Sequence, residues 1–152
     1  MFEKVLPRSI DNNYRGNKLG LWLLGVVIVM RLLQSTMIIF NGPSTVKDAD
    51  GVPLDSYPAE AAQNILAMFT SSSLWRATFC LLGVIVLIRY RSATPLMFVI
   101  LILNFLAAQA LSYFVPLIRI GTPPGPYVNL GLFVLMLIGL ALSLWSRKTH
   151  DE

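Results

Sequence analysis

The sequence predicts an all-α integral membrane protein, a four-helix bundle in one domain with both termini cytoplasmic. Three observations predict it. Hydrophobic residues fill 55% of the 152 positions and charged residues only 13%, against roughly 25% charge in soluble domains. Apolar runs of about 20 residues, the length that a ~30 Å hydrocarbon core demands of a helix, occur at residues 19–40, 69–88, 95–118 and 127–145. The lysines and arginines outside those runs fall mostly on one side of them.

The chain begins with "MFEKVLPRSI", which sets Phe2, Val5, Leu6 and Ile10 among basic residues and suits the surface of a charged leaflet. The first run, Leu19 to Phe40, exceeds the usual 7–15 apolar residues of a signal peptide and no A-x-A-like site follows it, so it is read as an uncleaved span. Asn41 to Tyr57, "NGPSTVKDADGVPLDSY", is rich in turn formers and reads as an ordered outer cap. Nothing breaks the helical pattern from Pro58 to Tyr90, so the second helix is expected to extend past the lipid by two or three turns.

"RYRSATP" is short, which predicts antiparallel neighbours for the second and third spans, and Thr94-Pro95 reads as a cap with proline at the first helical position. The third helix is expected to stop near Pro116. "GTPPGPY", Gly121 to Tyr127, has three prolines that fix backbone angles and predicts a rigid outer hairpin into the fourth span.

Orientation follows from charge. Lys4, Arg8, Arg15, Lys18, Arg89, Arg91, Arg147 and Lys148 share one side, against Lys47 and Arg119 on the other. The positive-inside rule then places the termini in the cytoplasm. The net charge of +4 is a topology signal and an attraction to anionic lipid heads. It does not indicate nucleic-acid binding.

Two cations interrupt the apolar runs. Arg31 lies 13 residues from Lys18 and Arg76 lies 13 from Arg89, which puts both about 20 Å above the inner boundary at ~1.5 Å per residue. Gln109, 14 residues past Pro95, falls in the same layer, and Gln34, Ser72, Ser73 and Ser112 lie just outside it. Insertion of the first span survives its arginine. That residue costs about 2.5–3.5 kcal/mol, and the Leu, Ile, Val and Phe residues around it return about 6 kcal/mol together.

Three readings of the layer follow, one of them contact between these arginines and an acidic residue of another protein. In a second, each arginine snorkels toward the interface or bonds helix-end carbonyls. In the third, Arg31, Gln34, Arg76 and Gln109 form an anion- or lipid-headgroup-binding site, because the spans contain no Asp or Glu to pair with buried cations. The loop acids Asp48, Asp50, Asp55 and Glu60 are the alternative counter-ions. On the second helix, Phe69, Ser72, Ser73, Arg76, Cys80 and Gly83 follow three-or-four spacing on one face, which predicts that Arg76 points inward.

Enzyme chemistry finds little here. Cys80 and His150 each stand alone, so the chain supplies neither a C-x-x-C thiol relay nor a histidine metal centre. Neither a phosphate loop nor a nucleophile elbow occurs. No catalytic residue, metal or cofactor is expected.

Small multidrug exporters place a carboxylate in the first helix, where this chain has Arg31. Fluoride channels insert both ways, against the charge bias seen here. Membrane glutathione and eicosanoid enzymes carry an acid and an asparagine where this second helix has Arg89 and Tyr90. Through "MFEKVLPR", "IDNNYRGNK", "DGVPLDSYP", "GTPPGPYVNLGL" and "ALSLWSR" the chain resembles a family of small four-helix bacterial inner-membrane proteins. The resemblance implies the bacterial inner membrane and no activity. The sequence therefore reads as a non-enzymatic accessory or assembly protein, as a subunit of a larger membrane complex. The alternative is a small-solute, anion or lipid-handling protein with an outward-facing polar cleft.

Overall fold

The structure is a computed structural model and describes Val5 and residues 10–145. The basic and apolar positions Phe2, Lys4, Leu6 and Arg8, and the tail with Arg147, Lys148 and His150, lie outside the described residues. Among the described residues the elements are α1 (Lys18–Phe40), α2 (Gly42–Asp48), α3 (Ala59–Arg89), α4 (Thr94–Phe114) and α5 (Gly125–Leu144). Short 3-10 turns occupy Leu54–Ser56 and Arg91–Ala93. Four of the helices, α1, α3, α4 and α5, are long and apolar enough to cross a membrane.

Local chemistry sets the helix ends. The Asn17 side chain accepts the Leu19 N–H at 3.0 Å and opens α1. Proline stands in the first turn of α2, α4 and α5, where its missing N–H costs nothing. At the far end of α4, Pro116 cannot donate to a carbonyl four residues back and bars helical geometry at Val115. The third helix accordingly ends at Phe114, and residues 115–120 are irregular. Arg91 donates from Nε to the Leu87 carbonyl at 3.0 Å and closes the last turn of α3.

α1 is the central helix. It packs along α3 on one side and α5 on the other, and α4 lies mainly on α5. The short 90–93 turn joins α3 to α4, yet the two helices touch little beyond it. Loop length fixes only which ends meet. Between apolar helices the choice of neighbour falls to close packing at small residues, and Gly139 of α5 is where the Phe98 ring of α4 fits, with no room for a side chain on the glycine. At the α1–α3 crossing a Cβ on Gly83 would stand 2.7 Å from Ile28 Cδ1.

The main core, with Leu24, Val27, Ile28, Cys80, Met97, Phe98 and Met136 among its members, lies toward the end of the bundle that carries Lys18, Arg89 and Arg91. This is the basic end. Phe105 stacks on Phe133 with centroids 4.5 Å apart and is the last buried residue of α4. From Leu106 to Ile120 every residue is exposed.

The opposite end carries a cap. Ile38 of α1, Val46 of α2, and Val52 and Leu54 form a second apolar cluster, against which Ile65, Leu66 and Phe69 of α3 pack. The 41–57 connection is thus ordered. It also meets the other connection: Ile120 N–H donates to the Gly51 carbonyl at 2.8 Å and Gly125 N–H to the Ala49 carbonyl at 2.9 Å. Gly51 has φ +73, left-handed geometry that favours glycine.

Candidate anion site in the arginine layer

Three helices bring polar groups together below the cap. Arg31 of α1 donates from Nη1 to Asn129 Oδ1 of α5 at 3.2 Å, and Gln34 Nε2 reaches the same oxygen at 3.5 Å. Asn129 sits in the first turns of α5. An arginine bonded there points toward the capped end, the direction in which a long cationic side chain leaves hydrocarbon.

Arg76 of α3 is half-buried and close enough to Arg31 for the two charges to repel. Both arginines also act on Cys80, one turn further along α3. Cys80 itself is buried in the main core, as a small packing residue.

Three polar atoms around this layer are buried without a hydrogen-bond partner: Gln34 Oε1, Ser35 Oγ and Ser73 Oγ. Ser35 follows Arg31 by one turn and Ser73 precedes Arg76 by one turn, so both stand on the cap side of the arginines. Each serine is fully enclosed, at 0% exposure. A buried hydroxyl without a partner is destabilising, by about 1–3 kcal/mol in mutational data.

Charge balance comes from the loop. Burial pushes the Asp50 carboxyl above the usual carboxylate range, and the nearby Arg76 and Arg119 guanidinium groups pull it back down. Asp50 is therefore the one loop acid that faces the arginine layer. Lys47 holds Asp55 in an exposed ion pair, a kind of contact that contributes little, and Asp48 and Glu60 are exposed. Arg31, Arg76 and Arg119 against Asp50 leave three positive charges and one negative, a net of +2.

Of the four residues predicted for the site, Arg31, Gln34 and Arg76 lie in this layer. Gln109 does not join them: it is exposed on the uncovered half of α4 and makes no hydrogen bond among the described residues. Sequence reading missed Asn129, which takes its place. The signal was present, since Asn129 is the only amide side chain between Tyr127 and Trp145, but it lies near the helix end, where a polar residue attracts no notice. What the arrangement offers is positive charge and donors. Both suit the layer to holding an anion.

Comparison with protein-family models, curated proteins and solved structures finds no match to this chain.

Proposed function

We propose that this chain is a multi-pass protein of a bacterial inner membrane, inserted with its basic end in the cytoplasm, that works as a non-enzymatic accessory or assembly subunit. The observation that supports it best is the uncovered half of α4. Residues 106–114 continue a spanning helix with no protein against them, and they carry Gln109 exposed, with Asn104 exposed just before. Amide side chains in hydrocarbon are satisfied by bonding across helices, at about 0.6–2 kcal/mol per bond. A partner helix supplies that bond and covers the apolar surface of Leu106, Leu111 and Phe114.

The test is purification in mild detergent. A stoichiometric second chain is expected with the wild type and should be lost in Asn104→Leu combined with Gln109→Leu, while the variant stays folded. Recovery of the wild type as a homo-oligomer alone would defeat the accessory reading.

The alternative, an outward-facing site for a lipid phosphate or small oxyanion, draws support from the net positive arginine layer and its three unpartnered polar atoms. In that case Arg31→Gln and Arg76→Gln each release bound anion, and the double change costs little more than one alone, because both serve one ligand. Two purely snorkelling arginines would tolerate Gln at both positions.

A further inference from the structure

At the basic end, opposite the arginine layer, the segment before α1 folds back over the α3–α4 turn. It is held there by three hydrogen bonds: Asp11 N–H to Ser92 Oγ at 2.9 Å, Ser92 Oγ to the Asp11 carbonyl at 2.8 Å, and Ser92 N–H to the same carbonyl at 3.2 Å. Asn17 N–H adds a bond to the Leu142 carbonyl of α5 at 3.2 Å. The fold-back shapes an open pocket of about 270 Å³ lined by Asn12, Tyr14, Gly16, Lys18, Leu21 and Arg91.

The chemistry of the lining is specific. Lys18 and Arg91 both lie on the cavity and neither has an acidic partner among the described residues. The nearest acid in sequence to Lys18, Asp11, accepts the Asn13 N–H on Oδ1 at 3.0 Å and forms no ion pair with Lys18 or Arg91. Arg91 uses Nε on Leu87, which leaves its two terminal nitrogens for another acceptor. The Tyr14 hydroxyl is buried without a partner, pressed over Gly16 and Gly20 so closely that a Cβ on either would stand 2.6 Å from it. Burial raises the Tyr14 phenol to about 12, so it keeps its proton and remains a donor. Leu21 gives an apolar wall, and Trp22, at 75% exposure, lies one turn past Lys18 on the outer surface of α1. The positive end of the α1 dipole lies beside the cavity as well.

We propose that this cavity is a second, independent site, and that it binds the phosphate of an anionic phospholipid from the leaflet at the basic end. Lys18 and Arg91 hold the phosphate oxygens through charge-assisted bonds beside the apolar wall of Leu21. Basic pockets at the cytoplasmic ends of spanning helices are suited to phospholipid head groups. The fold-back of residues 10–17 matters because it turns two surface cations into walls of one cavity.

The full-length protein in nanodiscs of phosphatidylcholine doped with phosphatidylglycerol provides the test, read by native mass spectrometry of the lipid retained. Diffuse attraction to a charged leaflet is controlled by Arg15→Gln/Arg89→Gln, which removes the same charge at the same end without touching the lining. Lys18→Gln/Arg91→Gln is expected to lose about tenfold more phosphatidylglycerol than that control. Equal losses in the two double variants would overturn the site. Inorganic phosphate added at millimolar concentration distinguishes the source. Failure to displace the lipid supports a headgroup site, and displacement without any preference for anionic lipid would overturn the lipid in favour of a free oxyanion.

Discussion

The two ends of the bundle are built on different principles. At the basic end, helices meet through small residues: the Phe98 ring fits over Gly139, and Ile28 packs over Gly83. There the packing leaves no room for a side chain. Toward the cap, α1 and α3 stay paired, but the contacts turn polar at Arg31, Gln34, Arg76 and Asn129, and α4 leaves the bundle after Phe105. One end holds its shape by van der Waals fit and the other by hydrogen bonds, charge and a cap of loops. Fit tolerates no added atoms, whereas a buried polar layer with unsatisfied groups carries an energetic cost.

Substitution at the tight end should have the largest effect. Gly139→Leu drives a side chain into the Phe98 ring and should cost about 1–3 kcal/mol by overpacking, or more if α4 is expelled from α5. The measurement is unfolding in detergent followed by proteolysis or steric trapping. A neutral result would mean that α4 does not depend on this crossing, and the contrast between the ends would disappear. The polar layer should give less. Asn129→Leu removes the acceptor shared by Arg31 and Gln34 and should cost about 1–2 kcal/mol. A double-mutant cycle with Arg31→Gln would expose their coupling, because Arg31→Gln in the Asn129→Leu background should cost much less than in the wild type.

These ends were unequally legible in the sequence. The four apolar runs and the prolines marked where helices start and stop, because those are local properties, whereas the expected Thr94 cap lies inside α4 and makes no capping bond. Pro116 ends α4 as expected, even though the apolar run continues to Ile118. The depth of Arg31 and Arg76 was also legible, since depth is a count of residues along a helix. Which helices face one another was not. Gln109 was expected in the layer by depth and residue type and Asn129 was overlooked, and only the departure of α4 from the bundle decides between them. The cavity at Tyr14 escaped altogether because it depends on residues 10–17 folding back onto Ser92, a contact across 81 positions of sequence.

The cap offers a smaller effect that separates the ends further. Gly51→Ala places a methyl 2.8 Å from Pro123 Cγ at a backbone φ of +73, a strain of about 1–2 kcal/mol. It should loosen the bond from Ile120 N–H to the Gly51 carbonyl and raise hydrogen exchange at Ile120 and Gly125, while the amides of α5 near Gly139 keep their protection. Faster exchange at both ends would show that the cap and the packed end unfold as one unit.

The smallest expected effect is the pH response of Asp50. Burial raises its carboxyl in the folded protein above the ordinary value of 3.8, against the pull of Arg76 and Arg119. A carboxyl raised by folding binds more protons in the folded state than in the unfolded one, so its contribution falls as pH rises through the window above 3.8 and is most favourable below it. Acidification through that window should therefore tighten the cap, visible as slower exchange at Gly125, whose N–H is bonded to the adjacent Ala49. The Asp50→Asn variant should lose this dependence, because nothing at position 50 then titrates. It should also leave Arg76 and Arg119 without their counter-charge and so strengthen any oxyanion binding in the arginine layer. If acid instead accelerates exchange in the wild type but not in the Asn variant, attraction to the two arginines outweighs burial, and Asp50 is the ion that the layer was built to hold.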